Sequence, residues 1–189
     1  MSRVYRIKVR ESLRKVVRAS DHVSTQVELL GILPGGQMAQ LLAAELERRG
    51  FQRQGDRAVR TADGVAVTVN VATGEVTVQA AATREINLQD ENTGWTPDAR
   101  GPAARRVEKQ LREELKNRLE SRADQRKEQL QEEVTTKLEA QLGDLRKELD
   151  QAVNRVTAEA LKRKAAQIGT IKQVTEDPQS GSMTIVLEV

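Results

Sequence analysis

AARRVEKQLREELKNRLESRADQRKEQLQEEVTTKLEAQLGDLRKELDQAVNRVTAEALKRKAAQI, residues 103–168, contains no proline and a single glycine, Gly143. Its apolar residues return every three or four positions between dense charges of both signs, which predicts a long charged helix. Such a helix presents surface without enclosing a pocket, so it argues for holding a partner rather than for chemistry. Ala104, Val107, Leu111, Leu115 and Leu119 step mostly by four. Leu138, Leu142, Leu145, Leu149, Ala152 and Val156 alternate steps of four and three, as a coiled-coil seam does. Ala123, Val134, Leu145 and Val156 also recur every eleven residues, which leaves the supercoil hand open. Leu138, Leu142, Leu145, Leu149 and Val156 are the residues expected to pair with another helix. Glu108 with Arg112, Glu114 with Arg118, Glu133 with Lys137 and Glu159 with Arg163 support the helix by a few tenths of a kcal/mol each.

Two geometries are open for this arm. An unbroken helix would span on the order of 100 Å. A helical hairpin would bend within the apolar-poor residues 120–129 or at Gly143 and Asp144. Gly169 closes the helix, and residues 171–174 and 183–189 flank Asp177-Pro178-Gln179-Ser180-Gly181, a hairpin signature. The two closing strands are expected to join a sheet formed earlier in the chain.

Outward from the arm, residues 4–9 alternate, with Tyr5, Ile7 and Val9 on one face and Arg6, Lys8 and Arg10 on the other. Further strands are expected over 13–17 and 23–30. Pro34 suits the first turn of a helix over 35–49, whose Met38, Leu41, Leu42 and Leu46 make one stripe and which Gly50 ends. Phe51 should pack back beneath it. Strands over 57–61, 65–71 and 75–88 are separated by Ala62-Asp63-Gly64 and Ala72-Thr73-Gly74, both with hairpin chemistry. Residues 89–102, with Gly94, Pro97, Gly101 and Pro102, read as a linker. Trp95 within it either docks onto the domain surface or marks a partner contact. The expected class is α+β: a small, mostly antiparallel sheet with one covering helix over 1–88, a linker over 89–102, a coiled-coil-like helix or helical hairpin over 103–168, and a β-hairpin over 169–189.

Composition excludes several chemistries. With no cysteine, disulfides, zinc-thiolate sites and thiol nucleophiles are all ruled out. His22 is the only histidine, so no histidine triad or multi-histidine metal site can be built, and an exposed turn residue is the expectation. Gly35-Gly36 lacks the rest of a dinucleotide or P-loop motif. The carboxylate pairs Glu132 with Glu133 and Asp90 with Glu91 lie where nothing is expected to bury them. No catalytic residue, metal or cofactor is therefore expected. No stretch near residues 1–10 reads as a membrane or secretory segment, which makes a cytoplasmic protein the default. The net charge of +3 says little, but Arg6, Lys8 and Arg10 would stand in a row on the open sheet face, a surface able to contact an anionic ligand. Base-stacking aromatics are scarce nearby, so a solvated face is the first expectation, with nucleic acid as the alternative and an acidic protein partner after it.

The opening residues 3–12 (RVYRIKVRES), the segment 27–34 (VELLGILP) leading into the helix that ends at Gly50, and the closing strand resemble the FtsH ternary system domains. The resemblance implies a small bacterial accessory protein working beside an FtsH-like AAA+ ATPase, a von Willebrand A protein and a MoxR-type ATPase in conflict systems. It implies no catalytic residues. The expected function is a non-enzymatic adaptor whose arm binds a protein partner, with an AAA+ ATPase or a second copy of the chain as candidates.

Overall fold

The structure is a computed structural model that describes residues 4–177 and 182–188. The order of elements is β1 (Tyr5–Gln26), α1 (Gly35–Arg48), β2 (Gln52–Gln54), β3 (Arg57–Ala62), β4 (Val65–Asn70), β5 (Glu75–Thr96), α2 (Pro102–Ile168), β6 (Thr170–Asp177) and β7 (Ser182–Glu188). The first five strands form one sheet in the order β1-β5-β4-β3-β2, and β6 and β7 form a separate sheet. The α+β class, the covering helix, the long helix and the C-terminal hairpin are all present.

Contacts divide the chain into two compact units. One comprises Met1–Ser20 with Ala81–Thr135, the other Asp21–Ala80 with Thr136–Val189. β1, β5 and α2 contribute residues to both.

In the first unit, residues 5–20 of β1 and 81–96 of β5 form a two-stranded ribbon, and residues 102–135 of α2 cover one of its faces. Odd positions of β1 and even positions of β5 turn toward the helix: Val9, Val17, Ala19 and Ile86 are buried there with Leu111, Leu115, Leu119 and Ala123. Ile7 and Val107 pack against the cluster of Val9, Leu111 and Leu115. Gly94 is required in this layer, because a Cβ there would lie 2.6 Å from Val107 Cγ1.

In the second unit, α1 buries Met38, Leu41, Leu42 and Leu46 as expected, and the Phe51 amide donates to the Leu46 carbonyl at 3.0 Å, tucking the ring beneath the helix. The β3–β4 turn places Asp63 and Gly64 at φ 51° and 77°, the paired left-handed residues of a tight hairpin. Between β4 and β5, Asn70 Oδ1 accepts from the amides of Ala72 and Thr73 at 3.0 and 3.2 Å. Val65, Val67, Val69, Val76 and Val78 line the buried face of the sheet.

Several expectations are corrected. The strands expected over 4–9, 13–17 and 23–30 are one strand of 22 residues ending at Gln26. Residues 89–96, expected as linker, are the last part of β5. Both misreadings arise because charged residues stand at helix-facing positions, where the helix supplies their partners. β2 is three residues long and too short to show a pattern. α2 runs unbroken from Pro102 to Ile168, so neither residues 120–129 nor Gly143 makes a bend; Glu, Gln, Lys and Arg are good helix formers, and one glycine costs only about 1 kcal/mol. Among the described residues β6 and β7 pair only with each other, each supplying the other's ladder partners, and not with the earlier sheet. Most of that expected turn, 178–181, and Val189 lie outside the described residues, as does Arg3.

Candidate docking face on the ribbon

Strand alternation sends the even positions of β1 and the odd positions of β5 away from the helix. Arg6, Lys8 and Arg10 stand on this open face as expected, with Arg14 and Arg18 beyond them, and all are exposed. Lys8 Nζ lies 2.7 Å from Glu91 Oε1, and Arg10 Nε donates to Glu91 Oε2 at 3.0 Å. Hydrogen bonding from Lys8 first, then from Arg10, holds the Glu91 carboxyl below the usual carboxylate value. Arg14 pairs with Glu85. Arg6 and Arg18 make no ion pair among the described residues. Five cations thus face two carboxylates, Glu85 and Glu91, on this surface.

Trp95 lies on the same face and is 63% exposed. Of the two roles open to it, docking on its own domain is not adopted. Gly94, next to it, turns inward because Val107 and Leu111 fill the space there, and the alternation then turns the indole out. Val16, 54% exposed, is also on this face. Tyr5, expected inward, is 39% exposed. Sequence reasoning missed the placement of Trp95 because it ended β5 too early; continuing the alternation from Ile86 would have found it.

The helix-facing side is matched by charge. Arg118 and Arg122 reach Asp90 Oδ2 at 3.3 and 3.5 Å. Arg84 donates to both Glu133 oxygens at 3.2 and 2.7 Å, which lowers the Glu133 pKa. Lys15 lies 3.8 Å from Asp124. Asp90, Glu91 and Glu133, three of the four carboxylates noted in the sequence, are therefore engaged by cations. His22 is exposed, though in a strand rather than a turn, with its amide donating to Asp21 Oδ1 at 2.8 Å.

In the second unit Glu45 is 3% exposed, and Arg48 and Arg49 donate to it at 3.0 and 2.8 Å while Arg155 lies at 3.7 Å. Arg60 grips Glu148 through two hydrogen bonds of 2.8 and 2.7 Å and stacks over the Phe51 ring at 4.4 Å. The hydrogen bond from Arg60 lowers the Glu148 pKa and raises that of Arg60. These groups sit where α2 meets α1 and β3, and their mutual pairing is a fastening.

The residues expected to pair with another helix are placed inside the chain's own fold. Leu138, Leu145, Leu149 and Val156 are 1, 7, 5 and 2% exposed, and Leu142 is half-buried. A sheet face must be covered, and a helix lying along it needs one narrow apolar row. The spacing of these leucines is thereby accounted for without a second chain.

Among the described residues no cluster of His, Asp or Glu could hold a metal, and no helix is long and apolar enough to cross a membrane. Fold and surface define a small α+β protein whose long helix backs a sheet and whose open face is charged and carries one aromatic side chain. The family model for FtsH ternary system domain X5 matches residues 1–189. The chain belongs to the FtsH ternary system domain X5 family, as its sequence resemblance indicated. That description agrees with an accessory role. Comparison with curated proteins and with solved structures gave no match.

Proposed function

We propose that this chain is a non-enzymatic accessory component of an FtsH ternary system, acting in the cytoplasm by docking a protein partner. The AAA+ ATPase of the system is the first candidate. The contact is made by the open ribbon face, with α2 as its rigid backing, and the partner surface is acidic. The observation that carries this reading is Trp95, which leaves most of an indole in water beside an excess of cations. Tryptophan and arginine are the side chains that most often dominate protein interfaces, and burying an indole recovers a few kcal/mol.

Trp95 is the only tryptophan, so its fluorescence reports the event directly. Titration with the ATPase of the system is expected to shift its emission to the blue, and Trp95→Ala or the triple change Arg6→Glu, Lys8→Glu, Arg10→Glu to weaken binding at least tenfold, about 1.4 kcal/mol. Unchanged emission, together with undiminished binding by both variants, would sink the proposal.

A second reading, single-stranded nucleic acid, gains from the same indole, because a tryptophan beside arginines can stack a base. Glu91 between Lys8 and Arg10 opposes it by repelling phosphate. Binding to an oligonucleotide that falls steeply with salt and is lost in Trp95→Ala would favour this reading over the first.

A further inference from the structure

β1 is the edge of the five-stranded sheet, and an edge strand offers a row of unpaired backbone donors and acceptors to any passing chain. Proteins guard such edges with charge, especially lysine and arginine. Over its first part β1 carries Arg6, Lys8, Arg10, Arg14, Lys15 and Arg18. The guard then stops: residues 19–27, ASDHVSTQV, have no lysine or arginine. At the start of this stretch Gln131 Nε2 donates to the Ser20 carbonyl at 3.2 Å, a side chain occupying an edge acceptor. From Val23 to Gln26 the strand is exposed, and Val23 keeps 38% of its surface in water.

The unguarded stretch borders a groove within the second unit. Val23, Thr25 and Val27 of the β1 end, Val76 and Val78 of β5, and Leu142, Leu145, Leu149 and Val153 of α2 enclose about 840 Å³ that opens to solvent. The groove lies between α2 and the parts of β1 and β5 that line it, and so reaches the edge strand of the sheet. Arg146, Glu28 and Asp150 stand on the rim, and neither carboxylate makes an ion pair among the described residues. Leu142 is half-buried here because this groove is what it faces.

The geometry points to strand addition: an extended segment of a protein partner pairs with residues 23–26, places alternate apolar side chains beneath Leu142, Leu149 and Val153, and sets basic flanks against Glu28 and Asp150. An open edge selects an extended backbone, and strand period places every second side chain in the groove. The rim's carboxylate excess selects a basic segment, the opposite sign to the partner of the ribbon face. The inference is independent of Trp95 and uses a different unit of the chain.

The test uses the full chain and a short capped peptide alternating valine and threonine, with a lysine at each end. Hydrogen exchange is expected to slow at the amides of residues 23–26 when the peptide is bound. A peptide N-methylated at alternate residues, with the same side chains but no donors on one edge, is expected to bind roughly tenfold or more weakly. Leu142→Lys and Val23→Lys should do the same, with far-UV circular dichroism and urea midpoint confirming that the fold stands; the methylated peptide needs no variant. Exchange unaltered at 23–26, equal binding of the methylated peptide, or equal binding of a glutamate-ended peptide would each overturn the inference. So would a concentration-dependent dimer of the free chain that Val23→Lys abolishes, since the edge would then belong to a second copy.

Discussion

Replacing Leu145 and Leu149 by alanine separates the two accounts of the leucine row. Both side chains lie in the fold of the single chain, 7 and 5% exposed. Truncating a buried leucine costs about 2–5 kcal/mol, the lower end applying where one side of the site can relax into a groove, as here. The residues are one turn apart and share neighbours, so the pair is less than additive and about 4 kcal/mol is expected. Domains of this size hold roughly 5–15 kcal/mol in all, so the loss is a large fraction. With a urea slope near 2 kcal/mol per molar, the midpoint of unfolding should fall by about 2 M. Far-UV circular dichroism in urea measures this, and light scattering on the same samples gives the mass. A double variant that unfolds near the wild-type midpoint but weighs half as much would refute the argument, because the leucines would then serve another chain. Leu145→Asp is the harsher version: an unpaired carboxylate in the core should abolish folding of that unit.

Three further outcomes follow from the second unit. Glu148 has its pKa depressed by Arg60, so the pair's contribution is complete above the ordinary carboxylate value of 4.5 and is lost as pH falls through the lowered value; Glu148→Gln should cost about 1 kcal/mol at neutral pH and flatten the acid limb of a urea-midpoint profile, and an acid limb identical to wild type would show the pair to be idle. Gly74 holds φ at 77°, with the Val27 carbonyl oxygen where a Cβ would go, so Gly74→Ala should cost about 2–3 kcal/mol by urea unfolding, whereas Gly143→Ala, with open space in α2, should stabilise by about 0.5–1 kcal/mol.

Much of the fold was legible because local rules are strong where they apply. The stripe of Met38, Leu41, Leu42 and Leu46 between Pro34 and Gly50 admits only a helix, and the valine alternation broken by Asp63-Gly64 and by Gly74 admits only hairpins. The continuity of β1 and β5 was not legible, since Glu11, Lys15, Arg84 and Asp90 occupy positions that a reader expects to be apolar. Their partners Arg112, Asp124, Glu133, Arg118 and Arg122 are distant in sequence, so no local period records them. The same cause hid the face of Trp95. Of the candidate site, the row of Arg6, Lys8 and Arg10 was readable from alternation alone, but the indole beside it was not. The leucine row was readable as one apolar residue per turn but not what covers it, since a helix and a sheet face both ask for that spacing.

The way α2 is fastened to the ribbon bears on what a partner meets. Bridges such as Lys15 with Asp124 and Arg84 with Glu133 are largely exposed and each contributes little to stability. Together they decide orientation, because rotating the helix by one residue would part these pairs and lift Leu111, Leu115 and Leu119 from the ribbon. Charges on the helix-facing side are thus consumed in choosing the helix's register. What is left over is the outward row, where among the described residues Arg6 and Arg18 make no ion pair and two glutamates cannot balance five cations. A net positive strip with one indole at its end therefore follows from how the first unit is held together, and an acidic surface with an apolar notch is the shape that would answer it.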